Sequence, residues 1–293
     1  MPLMKKSNRL ACLIWLLCMV FVISCSTNTQ VPVEPPVKTP IQTQPTAPVA
    51  STPVEETEPS DVSEEPLEPA QDPEAKAKYH VDTKHFMIHS SEESNNQKIA
   101  LLTFDDGPKG QVTMKILDTL DKYNAKSIWF VNGFNYGWDY KPSPQKEQQF
   151  NSLIQEIHNR GHIVANHTWE HGNLRKQSPE KQRKEITSMN ELLENITGEK
   201  PRYFRPPFGA YSDIQKQVMK EENMQWMNWS VGSLDWEYKD PEKVVDQVLS
   251  NMHNGANILM HDFPVTAEAL DPLLKELTEQ GYHFVLPTEV RID

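Results

Sequence analysis

The chain has 293 residues, 29 Lys and Arg against 41 Asp and Glu, and a formal net charge of −12. No basic stripe interrupts this acidity, which excludes a nucleic-acid backbone as partner and favours a neutral substrate. All three cysteines, Cys12, Cys18 and Cys25, fall in the first 25 residues, so the rest of the chain holds neither a disulfide nor a thiolate metal site, and any metal must sit on His and carboxylate.

In chain order, Lys5, Lys6 and Arg9 precede an apolar run from Leu10 to Ile23, which is short for a membrane span and has the form of an export signal. The run ends in Val22-Ile23-Ser24-Cys25, which resembles the lipobox of bacterial lipoproteins, with Val22 where leucine is commoner. That resemblance implies residues 1–25 as a lipoprotein signal peptide and Cys25 as the acylated first residue of the mature chain. An ordinary signal peptide cleaved nearby, or an uncleaved anchor, reads from the same residues. Each version places the rest of the chain outside the cytoplasm.

From Ser26 to about Ala77 the composition turns to Pro, Thr, Val, Gln and Glu, and such a segment buries too little apolar surface to offset its ordering entropy. It is expected to be a disordered tether. At roughly 3.1 Å per residue, ~50 residues reach on the order of 150 Å when extended. The expected organisation is therefore residues 26–96 as tether and pre-domain segment and residues 97–293 as one catalytic domain.

Beyond Gln97, short apolar runs alternate with amphipathic stretches, the pattern of an α/β domain built from βα units. Strands are predicted at Lys98–Phe104, Ser127–Val131, His162–Asn166, Tyr203–Arg205, Gln225–Val231, Asn257–His261 and His283–Leu286. Helices are predicted at Val112–Tyr123, Phe150–Arg160, Pro179–Thr197, Ser212–Glu222, Pro241–Met252 and Ala267–Gln280, three of them followed by a glycine stop at Gly161, Gly198 and Gly281. So many repeats in so short a span suit a closed or partly closed barrel better than a long open sheet.

The residues with chemical potential gather where strands end, the end at which parallel α/β folds place active sites. Thr103-Phe104-Asp105-Asp106-Gly107-Pro108 closes the first strand with adjacent carboxylates and a turn, so one Asp can face a metal while the other serves as base. His167-Thr168-Trp169-Glu170-His171 sets two imidazoles four apart, which on a helical turn would share a face and a metal ion. A zinc-protease pattern would need Glu where Thr168 stands, and Glu170 reads as an exposed neighbour. In Arg205-Pro206-Pro207-Phe208-Gly209-Ala210 the prolines fix the backbone, so that the Phe208 N–H can be aimed at a reacting oxygen and Arg205 can brace a carboxylate. Ser233-Leu234-Asp235-Trp236 and Leu259-Met260-His261-Asp262 end two further strands and offer a histidine near aspartate as general acid.

Together, in order and identity, these five segments resemble the motifs of the polysaccharide deacetylase family, also called the NodB-homology or carbohydrate esterase family 4 domain, over essentially all of residues 97–286. The resemblance implies a distorted (β/α) barrel and a divalent metal on Asp106, His167 and His171, most simply Zn²⁺, with Co²⁺ or Ni²⁺ admitted by the same ligands. It implies Asp105 as the base that deprotonates the attacking water, Arg205 orienting Asp105, and the Phe208 N–H on the oxyanion. It implies His261 as the acid for the departing amine with Asp235 holding it, and Trp236 and Leu259 as the wall around the acetyl methyl. Two departures stand out: Gly232 replaces an aspartate common in the fourth motif, and Phe208 stands where many members have Tyr.

The implied function is removal of N-acetyl groups from an amino-sugar polymer: peptidoglycan N-acetylglucosamine or N-acetylmuramic acid, a chitin-like chain or an exopolysaccharide. The alternatives are an O-acetyl esterase on xylan or wall sugars, and an inactive wall-binding lipoprotein. The implied partners are the polysaccharide and, through the lipid anchor, the membrane; a monomer is the default expectation. The aromatics of 134–149, Tyr136, Trp138 and Tyr140, read first as loop packing, with sugar stacking as the alternative, and Trp226 and Trp229 read as core. His80, His85 and His89 precede the expected domain, and neither these nor His158, His162, His253 and His283 receive a role.

Overall fold

Among the described residues the longest strand is Lys98–Gly107, and it is buried on both faces because Ile99 to Leu102 and Phe104 present apolar side chains to either side. The structure, a computed structural model, describes residues 77–92 and 97–292. The export signal, Cys25 and most of the expected tether lie outside the described residues.

In chain order the elements are β1 (Tyr79–Val81), β2 (Ile88–Ser90), β3 (Lys98–Gly107), α1 (Gln111–Lys122), β4 (Ser127–Val131), α2 (Pro144–Asn159), β5 (Ile163–Asn166), α3 (Pro179–Thr197) and β6 (Tyr203–Phe204). They continue with α4 (Asp213–Glu221), β7 (Gln225–Trp226), β8 (Val231–Gly232), α5 (Pro241–Asn251), β9 (Ala256–His261), α6 (Pro264–Glu279), β10 (Tyr282–Phe284) and β11 (Val290–Ile292). The main sheet runs β7-β6-β5-β4-β3-β9-β8, with β10 also paired to β3, and every pairing in it is parallel. No pairing joins β7 to β8, so the sheet curls into a barrel that is open on one side, the distorted (β/α) barrel expected.

Strand alternation divides the core into two clusters. Ala100, Leu102, Phe104, Trp129 and Val131 face the helical layer, whereas Ile99, Leu101, Ile128, Phe130 and Ala165 fill the barrel interior. Around the outside α5 packs on α6, α6 on α1, α2 on α3 and α3 on α4.

The segment expected to precede the domain contributes to that interior. β1 pairs with β2 and with β11, and Val81, Phe86 and Ile88 join the interior cluster. Ile88 N–H donates to Gly255 O just before β9, and Tyr203 Oη to Val290 O, so this small sheet lies at the strands' N-terminal ends. Asp82 holds its turn, accepting from the N–H groups of Lys84, His85 and Met87.

Most boundaries agree with the expectation, and α3 coincides with it, capped by the Ser178 side chain and stopped by left-handed Gly198. α2 begins at Pro144, a turn and a half before Phe150, because Ser143 caps it while its first turns are polar and bury nothing. The stretch predicted as one strand from Gln225 to Val231 is two short ones, with the backbone between them turned toward the site.

Candidate active site

The parity that sends Ile99 and Leu101 into the barrel also sends Thr103 and Asp105 there. Asp105 is buried and its Oδ1 accepts from Arg205 Nη1 at 2.6 Å. Arg205 is wholly buried and each arm of its fork is used: Nε donates to Met227 O, Nη1 also to Thr103 Oγ1, and Nη2 to Asn228 O, while the guanidinium lies 4.0 Å over Phe130. Burial raises the Asp105 carboxyl above the ordinary range against the pull of Arg205, which suits a group that accepts a proton.

Asp106 leaves the alternation. Its φ is 67°, and the register of β3 with β4 slips between Asp105 and Gly107, so a bulge turns its carboxylate out of the sheet toward the loop after β5. There Asp106 Oδ1 lies 3.8 Å from His167 Nε2 and 3.4 Å from His171 Nε2. The two histidines meet through a loop, not on the helical turn expected from their spacing: Thr168 and His171 have φ of 72° and 55°, and no helix forms between them. Asn135 Nδ2 holds the bulge from outside by donating to the carbonyls of Asp106 and Gly107.

His167 Nδ1 is 2.6 Å from the Arg205 carbonyl, which can only accept, so Nδ1 carries the proton and the Nε2 lone pair faces Asp106. Burial pushes this imidazole down to about 3, so it is neutral and its 3.5 Å approach to Asp105 Oδ2 is a meeting of two lone-pair acceptors, not an ion pair. Asp106 Oδ1 is buried with no hydrogen-bond partner. An orphaned carboxylate oxygen beside two imidazole nitrogens is a costly arrangement unless a cation completes it, and the ligating atoms of Asp106, His167 and His171 all lie within 4.8 Å of one another. The donor set fits a divalent metal with positions left open.

Across the cleft, β9 ends at His261. Its Nδ1 lies 2.7 Å from Asp235 Oδ1, and its backbone N–H donates to Asp235 Oδ2 at 2.6 Å. Thr266 Oγ1 donates to the same Oδ2, which fixes the carboxylate from both sides. Burial disfavours charge on His261, but the hydrogen bond to Asp235 and the Asp235, Asp105 and Asp106 carboxylates outweigh it and raise the imidazole above its usual value. Asp262, adjacent in sequence, turns away and accepts from Thr113 Oγ1 and Lys109 N–H, so the partner of His261 is Asp235.

Asp105, Asp106, His167, His171 and His261 border one cleft of about 420 Å³, which they share with Pro206, Phe208, Trp229, Trp236, Leu259 and Phe263. Phe208 has φ of 60° and its ring meets His171 edge-on at 5.1 Å. Trp236 and Leu259 also line the cleft. Trp229 was expected in the core and lines the cleft instead, because the chain between β7 and β8 is not a strand and turns its indole beside Gly232. Trp226 is half-buried against Tyr211 and Phe86. Phe263 was missed altogether: its ring stacks on His261 at 5.0 Å and its other neighbour is the Lys109 ammonium, 4.1 Å from the ring centre. Its position two residues after the histidine was the available signal.

Glu170 is not an exposed bystander. It is half-buried, its carboxylate pairs with Lys181 at 2.7 Å, and its N–H donates to the buried Glu185. Of the aromatic loop, Tyr140 and Tyr136 pack on Trp169, while Trp138 is exposed and stacks on Phe134. Gly133 is required here, since a Cβ would lie 2.3 Å from the Trp169 ring.

Comparison with known proteins agrees with this geometry. The family profile described as polysaccharide deacetylase matches residues 92–227. A peptidoglycan-N-acetylglucosamine deacetylase of Bacillus cereus is 33% identical over 195 residues, covering 65% of this chain and 67% of the relative. The peptidoglycan-N-acetylmuramic acid deacetylase PdaC of Bacillus subtilis is 33% identical over 211 residues, 71% of this chain but 42% of the relative. Among solved structures, the Bc1960 peptidoglycan N-acetylglucosamine deacetylase in complex with a naphthyl hydroxamate superposes with a TM-score of 0.59 at 31% identity, covering 68% of this chain and 90% of that one.

Proposed function

The chain belongs to the polysaccharide deacetylase family, and from that premise we propose that it removes N-acetyl groups from the amino sugars of peptidoglycan outside the cytoplasm. Relatives named for the glucosamine and for the muramic acid sugar are both similar, and the polymer they share is the substrate this reading assigns. The observation that carries it is the meeting, in one cleft, of a metal-binding set, a buried carboxylate and a carboxylate-held histidine.

Family members are metal-dependent, and Asp106, His167 and His171 are the residues that would hold the ion, with Zn²⁺ the metal this reading assigns to two imidazoles and one carboxylate. When bound, such a metal supplies Lewis acidity toward the acetamide carbonyl and acidifies water. The remaining steps belong to the chain. Asp105 takes the proton of the attacking water, and Arg205, hydrogen-bonded to its Oδ1, keeps the other oxygen presented to the cleft. As the water oxygen bonds to the carbonyl carbon, the Phe208 N–H donates to the developing oxyanion. His261 then passes the proton on its Nε2 to the sugar nitrogen as the C–N bond breaks, with Asp235 stabilising the imidazolium through Nδ1, and acetate and a free amine leave. Trp236, Trp229 and Leu259 form the apolar surroundings in which the methyl is held.

The export signal and Cys25 support a chain anchored by lipid at the membrane, with the Pro-rich segment letting the domain reach the wall. Among the described residues no helix is long and apolar enough to cross a membrane. The test is acetate and free-amine release from purified peptidoglycan and from chitin oligomers by the zinc-loaded protein, with Asp105→Asn as control. Release from peptidoglycan that the control lacks is expected. Acetate without amine would identify an O-acetyl esterase, and no release from any acetylated sugar would leave a wall-binding protein.

A further inference from the structure

Glu185, on α3, is a wholly buried carboxylate outside all five sequence motifs. The buried face of its helix carries Ile186, Met189 and Leu193 with Gln182 and Asn190, a desolvated setting in which a glutamate is retained only if both oxygens are fully engaged. They are. Oε2 accepts the Glu170 N–H at 2.7 Å, one residue before the metal-site His171. Oε1 lies 2.8 Å from Lys181 Nζ and accepts Tyr140 Oη at 3.1 Å. Lys181 Nζ also donates to Glu170 Oε1, so both the main chain and the side chain of Glu170 are tied to α3.

The loop that Glu185 grips needs gripping. Thr168 and His171 both occupy the left-handed region, which is uncommon for any residue but glycine and an outlier for a β-branched one. Such a conformation persists only where its surroundings over-determine it. The first half of the loop is held from α3 through Asn166, whose Nδ2 donates to Asn190 Oδ1 while its Oδ1 accepts the Thr168 N–H. On the second half, leading into His171, the α3 contacts are Glu185 to the Glu170 N–H and Lys181 to the Glu170 carboxylate. Tyr140, on the other oxygen, stacks at 4.3 Å on Trp169, which fills the middle of the loop.

From this geometry we infer that Glu185 is a positioning residue for the metal site: it fixes the backbone from which His171 reaches the ion and so sets metal affinity, without touching metal or substrate. The inference rests on the metal-binding reading of Asp106, His167 and His171. Partners of this outer kind are worth about 10- to 100-fold in affinity at metal sites.

The experiment measures zinc dissociation constants by competition with a chromophoric chelator, on the full chain, for the native protein and for Glu185→Gln, Lys181→Met and the surface control Glu221→Gln. Circular dichroism of each zinc-free protein reports folding. Glu185→Gln keeps the shape but turns an amide N–H toward at least one of the three donors, and is expected to weaken zinc by ~10- to 100-fold. Lys181→Met, which frees Oε1 of its cation, is expected to weaken it about 5-fold, below that range, while Glu221→Gln leaves it unchanged. A folded Glu185→Gln binding zinc within twofold of native overturns the inference. If that variant does not fold, unchanged zinc affinity in Lys181→Met overturns it instead. Absence of zinc binding in the native chain overturns the metal-site reading, and this inference with it.

Discussion

Two buried histidines flank β5, and they are chemically opposite. His162 stands just before the strand, at the end of the barrel away from the cleft, and His167 just after it, inside the cleft. Burial drives both imidazoles down, His162 to about 4 and His167 to about 3, so both are neutral. They differ in what meets Nδ1. At His162 the Ser127 N–H points at Nδ1 from 3.1 Å, so that nitrogen accepts and Nε2 must carry the proton. At His167 the Arg205 carbonyl meets Nδ1, which therefore donates, and Nε2 is left with a lone pair. The His162 Nε2 is buried without a partner, edge-on to Trp129, and ligates nothing. Burial and neutrality are thus shared by a candidate ligand and a histidine outside the candidate site; a single backbone group on the far nitrogen separates them.

The sharpest way to break this comparison is to exchange each imidazole for a carboxamide. On the proposed function His167→Gln removes a metal ligand, and metal chemistry is worth several kcal/mol, so acetate release is expected to fall ~10³-fold or more with loss of zinc binding. His162→Gln can still accept from Ser127 and is expected to keep zinc affinity and turnover near native. Equal loss of activity in both, with both folded, would show that the tautomer argument does not distinguish the two sites.

None of this was legible from the residue order, because a tautomer is set by which backbone atom lies opposite, and Ser127 and Arg205 are 35 and 38 residues from their histidines in sequence. The barrel itself was legible: its βα alternation is a local signal, and α3 runs from one capping serine to one stop glycine as its sequence says. The metal-site residues were legible as identities and order, through the resemblance, but not as geometry. The spacing of His167 and His171 suggested a helical face, whereas left-handed Thr168 and His171 and the bulge at Asp106 bring the ligands together. Trp229 hid among apolar residues that resemble a strand, and Phe263 belongs to no motif. Glu185 gave no signal at all, since a glutamate on an amphipathic helix normally faces water.

A third histidine sharpens the rule, because the group opposite its Nδ1 is a carboxylate. His261 is held by Asp235 and its charged form is favoured, which a donor of protons needs. Asp235→Asn keeps the shape of the side chain but removes the charge. General acid catalysis contributes about 10²- to 10⁴-fold, and loss of part of it is expected to lower kcat by ~10²-fold. The sign of the pH effect comes from the raised imidazole. On the proposed mechanism activity needs protonated His261 and is lost as pH rises through its pKa, so in Asp235→Asn the alkaline limb of the kcat profile is expected to move to lower pH. An unmoved limb would assign the proton donor elsewhere.

The smallest effect concerns stability, and it returns to His162. This imidazole is about 6.5 unfolded and about 4 folded, so below pH 6.5 the unfolded chain binds a proton that the native chain refuses. The contribution to stability is complete above pH 6.5 and is lost as pH falls from there toward 4, by roughly 1.4 kcal/mol per pH unit in the middle of that range. His167 in the metal-free protein acts in the same direction, and His261, whose folded value is raised, acts in the opposite one. The overall pH dependence therefore mixes signs, but the difference between native protein and His162→Gln isolates one group. Urea unfolding of the two metal-free proteins between pH 7 and pH 5 is expected to show curves that differ by a constant at neutral pH and converge as acid is added. Zinc adds a further test, because bound metal makes protonation of His167 harder and leaves His162 alone. With zinc present, the native protein should gain stability at neutral pH and lose that increment in acid, while the gap to His162→Gln keeps its pH dependence, and a gap that vanished on adding zinc would mean that the two ends of β5 are not independent.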